Sequence, residues 1–275
     1  STGRPKGVVL SHRNLVAGAR SVATYLGNSP SDRILSVLPL SFDAGLSQLT
    51  TGFYSGAYVH LMDYLLPRDV LKAVTRERIT GITGVPSLWN PLSRQDWPGE
   101  AVASLRYLAN TGGAMPEGTT KALQEKLPGT ELFLMYGLTE AFRSTFLPPE
   151  KALAKPTSVG QAIPEAEIMI VDGDGRPCGP GEHGELVHRG VHVALGYWKN
   201  PEATAERFRP APNQPAGLPR EEIAVWSGDT AYRDEDGDIY FVARRDAMIK
   251  TSGYRVSPTE IEIEALAVDG VTEAA

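Results

Sequence analysis

The chain has 275 residues, with 27 Lys and Arg against 33 Asp and Glu and a net charge of −6; binding to a duplex needs clustered positive charge, so no nucleic-acid partner is expected. Its one cysteine, Cys178, excludes a disulfide framework and a thiolate metal cluster, and suits a reducing, cytoplasmic setting. No apolar run approaches the roughly 20 residues of a membrane helix, so no membrane span is expected either.

The first segment, Ser1 to Gly7, combines glycines, hydroxyls and Lys6 in a loop whose backbone N–H groups and cation can wrap a polyphosphate. It lacks the glycine-to-lysine spacing of a P-loop, and a mobile Gly/Pro turn is the plainer reading of such a loop taken singly. Val8 to Leu10 reads as a strand, and Ser11 as the cap of a helix whose Leu15, Ala19, Val22, Ala23 and Leu26 share one face and which Gly27 ends. Strands are then expected over 33–38, 58–62, 82–85 and 105–109, alternating with helices over 44–55 and 68–77, a helical turn over 86–92, and a helix from Pro116 to Leu127. This alternation predicts a doubly wound α/β fold with a parallel sheet.

Leu132 to Glu140 is the stretch on which the rest turns. A short apolar run after Pro128-Gly129 reads as a buried strand, and it ends in Tyr136-Gly137-Leu138-Thr139-Glu140. In parallel sheets ligands sit outside the carboxyl ends of the strands. There an aromatic face can stack a base, a glycine admits close backbone approach, a threonine can bond a phosphate oxygen and a glutamate can offer Mg²⁺ a hard oxygen. Gly112-Gly113-Ala114 marks a second glycine-rich strand end.

After about Lys151 short strands and tight turns dominate, at 168–171, 184–189 and 240–243, so a β-rich subdomain is expected to pack against the α/β part. Pro210, Pro212, Pro215 and Pro219 predict a surface loop. Trp226-Ser227-Gly228-Asp229 follows and reads as a turn presenting an acid that could hold ribose hydroxyls, or as a solvated turn aspartate. The five histidines show no metal-ligand spacing on a helix, and His188 and His192 read as ordinary surface or packing residues. Residues 243–247 read as an exposed connection, with Ser257-Pro258 opening a helix. The expected organisation is residues 1–150 as α/β part, 151–245 as β-rich subdomain, and 246–275 as hinge and start of a small α+β lid.

In this order the motifs resemble the adenylate-forming superfamily of acyl-CoA synthetases, peptide-synthetase adenylation domains and luciferases. They are Ser-Thr-Gly-x-Pro-Lys-Gly, Gly-Gly-Ala, Tyr-Gly-Leu-Thr-Glu, Gly-Glu-Leu with Gly-Tyr-Trp, Ser-Gly-Asp and Arg-x-Asp-x-x-Ile-Lys-x-x-Gly-Tyr-Arg-Val. The overall look is closest to an acyl-CoA ligase of the type associated with bacterial exosortase and exopolysaccharide loci. The resemblance implies that a carboxylate attacks the α-phosphate of ATP to give an acyl-adenylate and pyrophosphate, after which the thiol of CoA or a carrier-protein pantetheine displaces AMP.

It further implies that Thr2, Gly3, Lys6 and Gly7 cover the β- and γ-phosphates, that Thr139 contacts the α-phosphate, and that Glu140 holds Mg²⁺. Tyr136, Gly137 and the Gly112-Gly113-Ala114 backbone would flank adenine; Asp229 would hold the ribose hydroxyls with Arg244 in support. Asp246 would be the hinge, and Lys250 and Gly253 would belong to the thioester-forming face. Phe42-Asp43 falls where amino-acid-activating relatives often carry an aspartate for the substrate's α-ammonium, although an aspartate capping the helix from about Ala44 explains it equally well. Ala243 and Ser227 replace a glycine and a threonine common in the family. No methionine opens the sequence and its first residues already lie in a motif, so it is expected to be part of a longer protein, with the adenylation lysine beyond Ala275 and the chain as given incompetent for adenylation. An amino-acid-activating domain, a luciferase-like oxidative enzyme and a non-catalytic nucleotide or acyl-ligand module on the same fold are the other readings.

Overall fold

A computed structural model describes residues 6–215, 217, 219–244, 249–251, 254–256, 261–262, 264–265, 268 and 270–271. Thr2, Gly3, Asp246 and Gly253 lie outside the described residues. The first half runs β1 (Val8–Val9), α1 (His12–Tyr25), β2 (Arg33–Ser36), α2 (Asp43–Ser55), β3 (Tyr58–Leu61), α3 (Pro67–Glu77), β4 (Gly81–Gly84), α4 (Pro86–Ser93), α5 (Gly99–Ser104), β5 (Tyr107–Asn110), α6 (Glu117–Lys126) and β6 (Glu131–Tyr136). The second half continues with β7 (Thr145–Leu147), β8 (Ser158–Ala162), β9 (Ala166–Val171), β10 (Gly184–Gly190), β11 (Gly196–Tyr197), α7 (Pro201–Arg207), β12 (Phe208–Pro210), β13 (Ile223–Arg233), β14 (Ile239–Arg244), β15 (Ile249–Thr251) and β16 (Tyr254–Val256).

Strands β3, β2, β4, β5 and β6 lie side by side and parallel, all but β6 lead into helices, and the strands inside the edge strand β3 are buried along most of their length. Alternation decides which helices cover which face. Tyr107 and Ala109 of β5 and Phe133 and Met135 of β6 pack on Val22 of α1 and on Leu26, its C-cap, whereas Leu108, Leu132 and Leu134 meet Val70 and Val74 of α3 and Trp89 of α4. The doubly wound reading therefore holds. Ser11 caps α1 as expected, reinforced by Asn14: Asn14 N donates to Ser11 Oγ at 3.1 Å and Ser11 N to Asn14 Oδ1 at 2.8 Å. The Asn14 amide also donates to the Val191 and Val193 carbonyls, pinning α1 to the chain after β10.

Past β6 the sheet does not stop. β7 and β8 add antiparallel, then β14, β13, β10 and β9, with β12 beside β13, so a single sheet of 12 strands crosses position 150. The expected β-rich part is thus joined edge to edge to the α/β part as well as packed on it.

Three local readings need correction. Ser227-Gly228-Asp229 is no turn: it lies within β13, and the register against β10 passes from Val187↔Trp226 to Glu185↔Thr230, leaving three residues opposite Leu186. Gly228, at φ +71, looked like a turn because it serves a bulge. The proline-studded loop begins inside the sheet, since Pro210 ends β12, which pairs with β13 along an edge that tolerates a proline. The strand read at 105–109 is Tyr107–Asn110, and Leu105 instead ends α5, a helix the sequence did not suggest. No described helix is long and apolar enough to cross a membrane.

Candidate active site

The carboxyl ends of β5 and β6 deliver the two glycine-rich loops to one edge. After β5, Gly112 adopts φ +74, and a Cβ there would stand 3.1 Å from Val85 Cγ1 and 3.4 Å from the Phe42 ring, so a larger residue would be strained as well as crowded. Asn110 donates to the Gly113 carbonyl at 2.9 Å, and the backbone from Gly112 to Ala114 stays exposed. After β6, a Cβ on Gly137 would fall 2.8 Å from the Phe142 carbonyl, which explains that glycine by close packing of the loop on itself.

Tyr136, at the tip of β6, donates its phenol to Asp229 Oδ2 at 2.5 Å across 93 residues of sequence. Burial, with the Asp229 charge added, pushes the phenol well above its ordinary range and keeps it a donor. Asp229 is 4% exposed, and Arg244, its register partner on β14, brings Nε to 3.6 Å from Oδ1. The bulge builds this arrangement. Ser227 Oγ donates to the Leu186 carbonyl at 2.6 Å and accepts from Asp229 N at 3.0 Å, and Gly228 N donates to Glu185 Oε1 at 3.0 Å. Ser227 thus does the positioning that a threonine would do.

A second group forms around Glu140, whose carboxylate accepts from the Tyr197 phenol. Burial and this acceptor raise the Tyr197 phenol. Lys6 Nζ lies 5.1 Å from the centre of the Tyr197 ring. Tyr197 sits here because β11 pairs antiparallel with β1 and Trp198 N donates to the Gly7 carbonyl at 2.7 Å, so the end of the Ser1-to-Gly7 loop is tied to the segment facing Glu140. Thr139 is exposed beside it. One Glu140 oxygen remains without a hydrogen-bond partner among the described residues, a hard donor that fits Mg²⁺ completed by water and phosphate oxygens.

The third group is Asp43 and Arg143. Phe42 is the N-cap of α2 and Asp43 its first residue, one earlier than expected; Asp43 Oδ1 accepts from Ala44 N at 2.8 Å and Oδ2 lies 3.9 Å from Arg143 Nη1. Burial raises the Asp43 carboxyl, Arg143 pulls it back, and Glu140 adds to the rise, so Glu140 is within electrostatic reach. Lys250 lies on β15, opposite Arg255 of β16.

Two residues of these groups escaped the sequence reading. Tyr197 stood inside Gly196-Tyr197-Trp198, but its two-residue strand and the pairing with Val8 leave no periodicity to read. Arg143 stood among Ala141, Phe142 and Ser144, and a cation in an apolar stretch was the available signal.

Residues 1–198 match the AMP-binding enzyme family. The chain belongs to that family. It is 35% identical over its whole length to L-proline–[L-prolyl-carrier protein] ligase of Streptomyces coelicolor, covering 51% of that protein. It is 32% identical, again over its whole length, to 2-succinylbenzoate–CoA ligase of Geobacillus kaustophilus, covering 53%. The O-succinylbenzoate CoA synthetase of Bacillus subtilis in complex with AMP superposes with a TM-score of 0.86 at 31% identity, over 99% of this chain and 53% of that one. The chain spans about half the length of the curated relatives it matches.

Proposed function

We propose that the protein containing this chain activates a carboxylic acid with ATP and passes the acyl group to a thiol. A carboxylate oxygen attacks the α-phosphorus, the bond to the bridging oxygen breaks, and pyrophosphate leaves with that electron pair. The thiolate of CoA or a carrier-protein pantetheine then attacks the acyl carbonyl, and AMP leaves. The observation that carries this reading is the Tyr136–Asp229 hydrogen bond at the carboxyl edge of the parallel strands, a buried carboxylate with Arg244 beside it where a ribose diol would lie.

Phosphoryl transfer of this kind is chiefly charge neutralisation and positioning. Lys6, Gly7 and the loop before them would cover the β- and γ-phosphates, Thr139 would bond the α-phosphate, and Glu140 would hold Mg²⁺, which supplies charge neutralisation at the phosphates when bound. Tyr136, Gly137 and the Gly112–Ala114 backbone would flank adenine. Asp246 would serve as hinge and Lys250 with Gly253 as thioester-forming face. Relatives solved with AMP and with ATP and magnesium support the nucleotide and the metal, and a carrier-protein ligase among the relatives supports a carrier as one acceptor. ATP and free thiols as reactants fit a cytoplasmic location.

The test is carboxylate-dependent exchange of labelled pyrophosphate into ATP by the full-length protein with Mg²⁺. Exchange with at least one class of acid is expected; folded protein that exchanges with none, across fatty, aromatic and amino acids, would refute it.

A further inference from the structure

The start of α2 abuts the glycine-rich loop after β5, where the Phe42 ring would stand 3.4 Å from a Cβ on Gly112, and there Asp43, half-buried and within electrostatic reach of Glu140, is a carboxylate that could select for a cation. Here the chain supplies the cation itself. Both Asp43 oxygens are engaged, Oδ1 by the Ala44 amide at 2.8 Å and Oδ2 facing Arg143 Nη1 at 3.9 Å. The Arg143 side chain is 3% exposed, and it lines a cavity of about 10 Å³ with Ser47, Gln48 and Thr51 of α2, Thr83 and Met135. Arg143 Nε, Gln48 Oε1 and Thr51 Oγ1 are buried there without hydrogen-bond partners among the described residues. The cavity has room for about one water, which leaves the guanidinium where it is, against Asp43.

We propose that Arg143 is a specificity-determining residue that neutralises Asp43 and turns the site toward carboxylic acids lacking an α-ammonium group. This rests on the carboxylate-activating reading above. An ammonium brought to Asp43 would meet a fixed guanidinium in a poorly solvated pocket, and like charges juxtaposed at a binding site are strongly disfavoured. Glu140, the other carboxylate in electrostatic reach, is held by the Tyr197 phenol. Removing the guanidinium frees one Asp43 oxygen and creates the counter-charge that an α-amino acid needs.

The experiment compares matched acids that differ only in the amino group, hexanoate against norleucine and hydrocinnamate against phenylalanine. The full-length protein is read by titration calorimetry in the presence of a non-hydrolysable ATP analogue and by pyrophosphate exchange. Wild type is expected to favour the acid without the amino group by about tenfold or more. Arg143→Met should erase or invert that ratio, and Arg143→Lys, which keeps the charge, should retain it; loss of packing alone would weaken both acids together and leave the ratio unmoved. Should Arg143→Met not fold, Asp43→Asn serves, since it leaves the arginine unopposed and should sharpen the wild-type preference. A wild type that favours the amino acids, or variants that never move the ratio, overturns the proposal. If exchange is absent with every acid while calorimetry still ranks the amino acid second, the enzymatic reading fails and this one stands; binding of no acid at all removes both.

Discussion

Asp229 carries the largest single consequence. It is buried, accepts the Tyr136 phenol and faces Arg244, so its carboxylate is aligned before any nucleotide arrives. Two charge-assisted hydrogen bonds to a ribose diol are worth about 1.5–3 kcal/mol each, so Asp229→Ala should cost roughly 3–5 kcal/mol of ATP affinity, about two to three decades or more. Titration with 2′,3′-dideoxy-ATP checks the cause: wild type should discriminate against the analogue, and the mutant should have lost most of that discrimination. Additive losses would take Asp229 out of the site. Tyr136→Phe removes only the aligning donor and should cost about 1 kcal/mol. Residue types were legible in the sequence at this scale, since Tyr136, Glu140 and Asp229 each named a chemistry. What escaped was partnership: nothing local says that Tyr136 meets a residue 93 positions away, or that Arg143 meets Asp43.

Two elements set the geometry around these residues. The bulge in β13 depends on Gly228, where φ is +71 and a Cβ would fall 2.2 Å from Arg207 Nη1. Gly228→Ala should cost about 1–3 kcal/mol of stability, measured by urea titration, and should weaken ATP binding because it shifts Asp229; unchanged affinity in a destabilised mutant would show that the bulge does not position the acid. Strand β10 and the loop after it carry His188 and His192, both fully buried with ring centres 5.9 Å apart. His188 Nδ1 lies 2.9 Å from Ser144 Oγ, in the chain segment that follows Glu140.

Burial, with a small push from His192, lowers His188 to about 3, and burial also lowers His192. In the unfolded chain each returns to about 6.5, so below that pH the unfolded state binds protons that the folded state refuses. Stability is therefore complete above about pH 6.5 and falls as pH drops; His188 alone should remove about 2 kcal/mol between about pH 7 and pH 5. His188→Asn should flatten that decline, and an equally steep profile in the mutant would assign it elsewhere. The sequence read these histidines as surface or packing residues. A short alternating strand does not reveal that α1 reaches the segment just after it, where Asn14 donates to the Val191 and Val193 carbonyls.

At the scale of the whole molecule the parallel half was legible because each βα unit repeats one hydrophobic period, and β2 to β6 fell within a few residues of expectation. The joining of the halves was not, because β7 and β8 are short and their registers depend on partners distant in sequence. The same junction carries a charged latch. Lys155, between the halves, bonds Asp234, Asp236 and Asp238 of the β13–β14 turn at 2.7, 2.7 and 2.6 Å, and Lys151 adds to Asp238 at 2.8 Å. The three acids have ligand atoms within 4.8 Å of one another, and Lys155 offsets part of their charge. Lys155→Met should lower the thermal midpoint, and millimolar Ca²⁺ should restore part of the loss in the mutant while leaving wild type unchanged; a midpoint indifferent to the substitution would make the latch incidental.

The central claim is that the acid attacks the α-phosphorus of ATP. A substrate carboxylate carrying heavy oxygen, turned over once by the full-length protein with Mg²⁺ and thiol, tests it most directly. The account predicts one labelled oxygen in the AMP produced, with unlabelled pyrophosphate. Label recovered in inorganic phosphate beside ADP, or AMP formed without label, would contradict it.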